Sequence, residues 1–287
     1  MNRTVPVLCL GCIAAIGGTT YGMLGASAAD RTAVPSGLGG AGALATTPAA
    51  TALHAARRTC TMPPLDAVVR DLQARAAASP DDRGTWRVLA EALLERVQQR
   101  SHLRGLSVGS PVHSELPKDL VEDLESGLAA VTRARELGDD DGDLYRIEAS
   151  LMSQHITGLG AALQWNPRIQ AALAQAIERG RDNPRLQVAL GLRKLLAPKL
   201  LGHDPGRALE HFEFAARALA DDERPAVFAA MASYLQRRRQ QAVAWLEQAV
   251  ARNPNNSFAR VVLQRVRRDE PDPFGRDVTL EEVAAAK

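Results

Sequence analysis

Cysteine and aromatic side chains are scarce in this chain. Aromatic residues make up 4% of the sequence, and there are three cysteines. Cys9 and Cys12 fall within the N-terminal segment 1–28, which leaves Cys60 as the one thiol of the remaining sequence. A single thiol cannot form an internal disulfide, so packing alone has to stabilise the fold. We expect Cys60 to be incidental, with an intermolecular bridge as the alternative.

Strand patterns are also missing, since no segment of useful length alternates apolar and polar residues with β-branched enrichment. This absence argues against β-sheet. The apolar residues, 46% of the chain, are mostly Ala, Leu and Val, and 24% of the residues are charged. This composition predicts a globular protein of closely packed helices. The formal net charge is only +2, so no overall field attracts nucleic acid or a membrane.

Catalytic and metal-binding motifs are absent as well. The sequence contains no G-x-S-x-G, H-E-x-x-H, phosphate-cradling glycine loop or paired C-x-x-C. His203 and His211 are separated by eight positions. A zinc site on a helix favours a spacing of about four and a third ligand. We therefore predict a protein that is not an enzyme, with no metal and no cofactor.

The N-terminal segment 1–28 resembles an export signal. Arg3 is its one charge, a long apolar run follows, and the segment ends in Ala26-Ser27-Ala28, a small-x-small pattern that signal peptidases accept. We predict a signal peptide over residues 1–28. The alternatives are an uncleaved membrane anchor and lipid attachment at Cys12, whose preceding Leu10-Gly11 resembles part of a lipobox. All three interpretations export the chain to a periplasmic or extracellular location.

Residues 29–64 are rich in Gly, Pro, Ala and Thr and show no periodic apolar face. Such a segment buries too little surface to offset the entropy lost on ordering. We predict a disordered linker here, with room for a short helix around residues 50–57.

Helical spacing of apolar residues begins at Leu65 and continues to about residue 268, interrupted by a Gly- and Pro-containing loop over residues 104–117. We predict an all-α fold. Short connections between helices of about 14 residues favour antiparallel neighbours. Beyond the loop the predicted helices are 118–137, 142–156, 167–180, 184–197, 206–220, 225–238, 240–252 and 255–268.

Two of these helices repeat one pattern at a constant offset. Ala208, Phe212 and Ala215 align with Ala242, Leu246 and Ala249. Small side chains let neighbouring helix axes approach closely, and a bulky residue one turn away fills the gap between units. We predict that these alanines lie at crossing points, where two helix axes approach closely. We call Phe212 and Leu246, which fill the gap between units, the wedges.

The offset between the two patterns is 34 residues, which is the period of tetratricopeptide repeats. The small–bulky–small pattern resembles the second helix of such a repeat, and Pro254 stands where that family usually has its closing proline. The resemblance is good over about residues 206–267 and weaker over 127–198. It implies a right-handed α-solenoid of antiparallel helix pairs over residues 65–268, with degenerate repeats. A generic α-helical bundle is the alternative.

Charge is unevenly distributed along the sequence. Residues 115–143 carry a net charge of −7, and residues 237–268 carry +7, with eight arginines and one acidic residue. One interpretation is that these are solvated outer faces. The other is a polarised protein whose basic end docks an acidic partner or anionic lipid, since arginine binds carboxylates in bidentate fashion.

Solenoids of this kind bind partners along a groove lined by the first helix of each pair. Tyr234 and Arg238 fall on one line of such a helix, with Arg237 beside them, and Arg193 and Lys194 occupy the preceding first helix. We predict these five residues as partner-binding. An aromatic anchor next to cations suits a protein or peptide, and export argues against nucleic acid.

These observations favour a non-enzymatic scaffold for protein–protein interaction in a bacterial-type cell envelope. Membrane association would come through the uncleaved leader or a lipidated Cys12. The alternative is an accessory ligand-binding component of an envelope transport system, because exported tetratricopeptide-like proteins of that class resemble this chain at the insertion over residues 197–206.

The tail, residues 269–287, leaves the predicted stack at a pair of prolines. Thr279 and Glu282 have the spacing of a capping box for a short final helix. The tail either covers the last repeat or hangs free.

Overall fold

A computed structural model describes residues 47–103, 116–196, 202–275 and 278–286. All regular secondary structure within these ranges is α-helical, with no strand, as predicted. The described helices are α1 (Pro48–Arg58), α2 (Met62–Ala78), α3 (Arg83–Leu103), α4 (Lys118–Glu136), α5 (Gly142–Gln154), α6 (Leu159–Gly180), α7 (Pro184–Leu196), α8 (Pro205–Ala218), α9 (Arg224–Leu235), α10 (Arg239–Arg252), α11 (Ser257–Arg267) and α12 (Leu280–Ala285).

Several predicted segments lie outside the described residues: the signal peptide, residues 29–46 of the linker, most of the loop over 104–117 and residues 197–201 of the insertion. The linker prediction is wrong for residues 47–64, because α1 and the start of α2 occupy them. The Thr47 hydroxyl caps α1 by accepting from the Ala50 amide at 3.1 Å. Leu53 and Ala56 are buried against α2 and α3. Two buried apolar side chains are enough to order α1, because α2 and α3 supply the rest of the apolar surface against which it packs.

Helix α6 also differs from its prediction, since it begins at Leu159, eight positions before the expected start at 167. The prediction places Pro167 in the first turn, but this proline lies inside the helix. Its ring nitrogen cannot donate to the carbonyl of Leu163, one turn earlier. This first part of α6 also exposes Leu163, at 51% of its area.

Each helix packs against the next one along the chain, and helices two apart also touch in the odd-numbered series α1, α3, α5, α7 and α9. A helix that packs beside its neighbour after a short connection runs antiparallel to it. Alternate helices therefore run in the same direction, and the odd helices form one layer. We call this layer the odd-helix layer.

Apolar side chains form successive clusters along this order. One buried cluster joins α1 to α5, a second joins α5 to α7, and a third joins α7 to α11 and the segment beyond α11. A smaller fourth cluster lies between α9, α10 and α11. Each helix pair thus buries its apolar face against its neighbours, as the repeated pattern requires.

The alanines predicted as crossing points are all inaccessible to solvent, which confirms their role in packing. Ala208, Ala215, Ala242 and Ala249 are each 0% exposed, and so are the predicted wedges Phe212 and Leu246.

Phe212 shows how tightly the wedges fit. A Cβ atom on Gly191 of α7 would lie 2.6 Å from the Phe212 ring, a distance that no real side chain tolerates. Only glycine at position 191 allows the ring of α8 this close to the α7 backbone.

The C-terminal tail covers the end of the stack. Phe274 is buried among residues of α8 to α11. The capping box of α12 is present, because the Thr279 hydroxyl accepts from the Glu282 amide while the Glu282 carboxylate accepts from the Thr279 amide. The Glu282 carboxylate also accepts from the buried guanidinium of Arg265 at 2.6 and 2.9 Å. The first of the two predicted alternatives therefore holds for the described part of the tail.

Overpacking at a crossing point tests this architecture. Ala242→Leu adds three carbon atoms where α10 meets its neighbours, and we expect it to lower the free energy of unfolding by about 1–3 kcal/mol. Ala244 lies on the same helix and is exposed. Ala244→Leu should therefore change the unfolding free energy by no more than about 0.5 kcal/mol. Urea unfolding followed by circular dichroism measures both, and equal effects of the two variants would contradict the proposed crossing.

Candidate partner-binding surface

The five predicted partner-binding residues lie at one edge of the odd-helix layer. Arg193 and Lys194 are in the last turn of α7, and Tyr234 is in the last turn of α9. Arg237 and Arg238 follow α9 directly. Helices α7 and α9 touch and run in the same direction, so their C-terminal ends share an edge. We call these ends, with residues 234–238, the α7/α9 edge.

Tyr234 is less available than its sequence position predicted. Its side chain is half-buried, and its ring centroid lies 5.6 Å from that of Phe274 in the tail. The neighbouring Leu235 is instead 40% exposed, one of two large apolar side chains that stand out in the described residues. Leu235 was not predicted as a site residue. Leu235 is therefore the exposed apolar side chain of this edge, whereas the Tyr234 ring packs against Phe274 of the tail.

Arg237 occupies a backbone conformation that favours glycine. Its φ is 63°, in the left-handed region. The Arg237 amide donates to the Tyr234 carbonyl at 2.8 Å, and the Arg238 amide donates to the Ser233 carbonyl at 2.9 Å. These two bonds form a Schellman cap, which usually has glycine at this position.

The same cap ends helix α4, where Gly138 has a φ of 83° and makes the equivalent bond to Arg135. The chain thus places an arginine where its own equivalent turn has glycine.

The guanidinium groups of this edge have no counter-charge in the described residues. Arg193, Arg237 and Arg238 are exposed, and no described carboxylate lies within ion-pair distance of them. Although Arg193 is solvent-accessible, protein surrounds its guanidinium and lowers its pKa through desolvation. Lys194 is half-buried, and its carbonyl accepts from the Asp204 amide at 3.0 Å.

Most arginines of the basic block over residues 237–268 donate to groups of the protein itself. Arg252 shows the main mechanism, because it donates to the carbonyls of Ala216, Leu219 and Asp222 at 2.8, 3.3 and 3.1 Å. The last carbonyls of a helix have no partner within the helix, and a guanidinium can donate to several at once. Six arginines of the block bind carbonyls or carboxylates: Arg239, Arg252, Arg260, Arg265, Arg267 and Arg268.

The acidic block over residues 115–143 is neutralised in a similar way. Asp123 accepts from Arg96 and Arg100, and Asp143 accepts from Arg146. Burial raises the pKa of Asp143, but the charge and hydrogen bond of Arg146 outweigh burial and hold it down at about 2. Runs of like charge in this sequence therefore mark residues that form ion pairs and hydrogen bonds within the fold, more than they mark a charged surface.

An open apolar depression of about 660 Å³ lies elsewhere, between α2, α3 and α4. Its floor is formed by Ala76, Leu89, Leu93 and Ala130, and Arg133 is at its rim. Arg133 already donates to the Pro80 carbonyl and pairs with Asp81 and Glu136. The depression has apolar walls without the converging polar groups that define most small-molecule sites.

His211 and His155 take part in side-chain packing within the described part of the chain. The His211 ring nitrogen Nδ1 lies 2.5 Å from the Gln187 side-chain oxygen, and desolvation lowers the pKa of His211 to about 4. His155 stacks on Trp165 with ring centroids 4.3 Å apart. Within the described ranges, no three His, Cys, Asp or Glu side chains are arranged to hold a metal ion.

No known family model matches the chain, and no curated protein is significantly similar to it. The tetratricopeptide resemblance therefore depends on the residues alone. Among the helices of the described residues, none combines the length and apolar character that a membrane crossing needs.

Replacement of Arg237 by glycine tests whether the backbone of this turn is strained. We expect Arg237→Gly to raise the free energy of unfolding by about 0.5–1 kcal/mol, because glycine adopts a positive φ without strain. Arg238 is the matched control, since its φ of −93° gives glycine no advantage. Arg238→Gly should be neutral or destabilising in the same urea titration. A loss of stability in Arg237→Gly would contradict the assignment of strain to this turn.

Proposed function

We propose that this protein is a non-enzymatic interaction scaffold built as a right-handed, tetratricopeptide-like α-solenoid with degenerate repeats. The repeat is supported by helix positions as well as by residue identities. Helices α8 and α10 are equally long, and both begin three positions before the first alanine of the repeated pattern. Both present buried alanines and one buried bulky residue at matching positions. Contacts between successive odd helices are consistent with one continuous inner layer.

The observation that carries the functional proposal is the set of unneutralised cations at the α7/α9 edge. Elsewhere in the basic block the arginines bind carbonyls or carboxylates, but Arg193, Arg237 and Arg238 remain exposed there beside Leu235. Guanidinium groups bind carboxylates in bidentate geometry, and an apolar neighbour adds contact area. The partner best suited to this edge is a protein or peptide segment that presents acidic and apolar side chains.

The proposed location is the cell envelope, outside the cytoplasm. This part of the proposal is supported by the leader-like segment 1–28, which ends in a small-x-small pattern. Attachment to a membrane would use the leader itself or a lipid on Cys12. The folded part would then face a partner in the same compartment.

An accessory role in ligand transport is the second candidate, and the apolar depression between α2, α3 and α4 favours it. A bound organic ligand would stabilise the folded state in proportion to its concentration and affinity. A thermal-shift screen would favour this candidate if organic ligands raised the melting temperature in wild type and lost that effect in Ala130→Phe, which fills the depression.

A charge-reversal pair tests the scaffold proposal. Affinity capture from an envelope extract with the full chain, followed by mass spectrometry, identifies candidate partners. We expect Arg193→Glu combined with Arg238→Glu to weaken the affinity of the purified partner by about tenfold or more, since like charges would then face each other. Arg70 is the control, because it is exposed on α2 and, within the described residues, makes no ion pair.

Arg70→Glu should leave both capture and affinity unchanged. Helicity by circular dichroism should be the same in all variants. A partner that binds wild type and the double variant equally well would count against the α7/α9 edge as the binding surface.

A further inference from the structure

The first and last units of the array meet through charged and polar groups in addition to their connection along the chain. The apolar clusters join each helix to its sequence neighbours, and no cluster contains residues of both α1 and α8–α11. Contact between these distant parts is instead made at one junction. There the last two residues of α1, Arg57 and Arg58, meet the turn before α9 and the end of α10.

Arg58 makes the shortest of these contacts. Its guanidinium donates to the Asp221 carbonyl at 2.5 Å and to the Arg252 carbonyl at 2.6 Å. In return, the Asn255 side-chain amide donates to the Arg58 carbonyl at 3.1 Å. Arg58 thus binds one carbonyl in the turn between α8 and α9 and one at the end of α10, both more than 160 positions away in sequence.

Arg57 extends the junction inward. It pairs with Asp222 at 3.3 Å and lies 3.6 Å from Glu223, and all three side chains are buried. Arg224 then connects Asp222 to α3, because it donates to both carboxylate oxygens of Glu95 at 2.9 Å. Charge therefore links α1, α3 and the start of α9 without an apolar contact between the first and last clusters.

This junction is incompletely satisfied. Arg57 Nη2 and Glu223 Oε2 are buried without a hydrogen bond in the described part of the chain, although Oε2 lies 3.6 Å from Arg57 Nη1. A buried polar atom without a partner forfeits the hydration that it would have in water. The closed junction therefore carries a cost that an opened one, in which water reaches both atoms, would not.

The connection between α1 and α2 is short. It spans residues 59–61, and Cys60 within it has a φ of 53°. The Cys60 thiol is half-buried, with its sulfur 3.6 Å from the Asn253 side-chain nitrogen. The apolar contacts of α1 are few, with Leu53 and Ala56 as its buried apolar side chains.

We propose that α1 is a releasable strap that closes the array by docking Arg57 and Arg58 onto the turn between α8 and α9 and onto the end of α10. In the closed form the strap holds the last units against α3. In the released form the Arg57–Asp222 pair and the Arg58–carbonyl bonds are replaced by hydrogen bonds to water. Any effect on partner binding depends on the function proposed above, whereas release itself is measured without a partner.

Cys60 is a native reporter of release, because strap opening exposes its sulfur. The experiment measures the alkylation rate of Cys60 by iodoacetamide in the full chain, with the Cys60 peptide identified by mass spectrometry and so separated from Cys9 and Cys12. The contact of Arg58 with the Asp221 carbonyl is exposed, and salt screens exposed charges, so salt should favour release. We expect the wild-type rate to be higher in molar NaCl than at low salt, measured relative to a model thiol peptide.

Arg58→Gln removes the two carbonyl contacts, and we expect it to raise the Cys60 alkylation rate by about tenfold or more at low salt. Arg75→Gln is the matched control, since Arg75 makes an exposed pair with Asp71 on α2. Hydrogen exchange should speed up over residues 48–58 in Arg58→Gln while α8 keeps its protection.

The proposal is overturned if wild-type Cys60 already reacts as fast in buffer as it does in denaturing urea. It is also overturned if neither salt nor Arg58→Gln changes the rate, because α1 would then be a fixed part of the fold. Should Arg58→Gln lose its helicity, the salt dependence of the wild-type protein still decides between these outcomes.

Discussion

Close approach between neighbouring helices depends on alanines at the points where the helices cross. Ala208, Ala215, Ala242 and Ala249 expose none of their surface, and larger side chains there would force the helices apart. The same requirement explains Gly191, whose missing side chain makes room for the Phe212 ring. Once these contacts are made, each unit covers the apolar face of the one before it. The array therefore needs neither disulfide nor large aromatic core to hold together.

Arginine supplies most of the polar connections between the stacked helices. Arg252 and Arg58 bind carbonyls at helix ends, while Arg146 and Arg224 bridge carboxylates on separate odd helices. A cation that replaces the hydration of several carbonyls at once stabilises the turn in which they lie. This use of arginine leaves few cations free for a partner. Those that remain at the α7/α9 edge are therefore the most informative charges of the described surface.

The features that could be predicted from the sequence are those set by residues close together in the chain. The crossing alanines, the capping box at Thr279 and most helix bounds depend on residues within a few turns of each other. By contrast, α1 is ordered by α2 and α3, Tyr234 is covered by Phe274, and Arg58 is bound by carbonyls near residue 252. These contacts join segments that are far apart in sequence. Composition therefore indicated a linker where the structure has a packed helix, and a charge run indicated a surface where the structure has cross-links.

Native-state hydrogen exchange of the full chain under rising urea tests the central claim that each unit is held by its neighbours. Stacked units should open cooperatively, because a helix pair cannot keep its apolar face buried alone. The account predicts that amides of α8, α9 and α10 lose protection together, at similar urea concentrations. If the amides of α10 exchanged without urea at nearly the rate of an unfolded peptide while those of α8 stayed protected, the stacking through Ala242 and Ala249 would be contradicted.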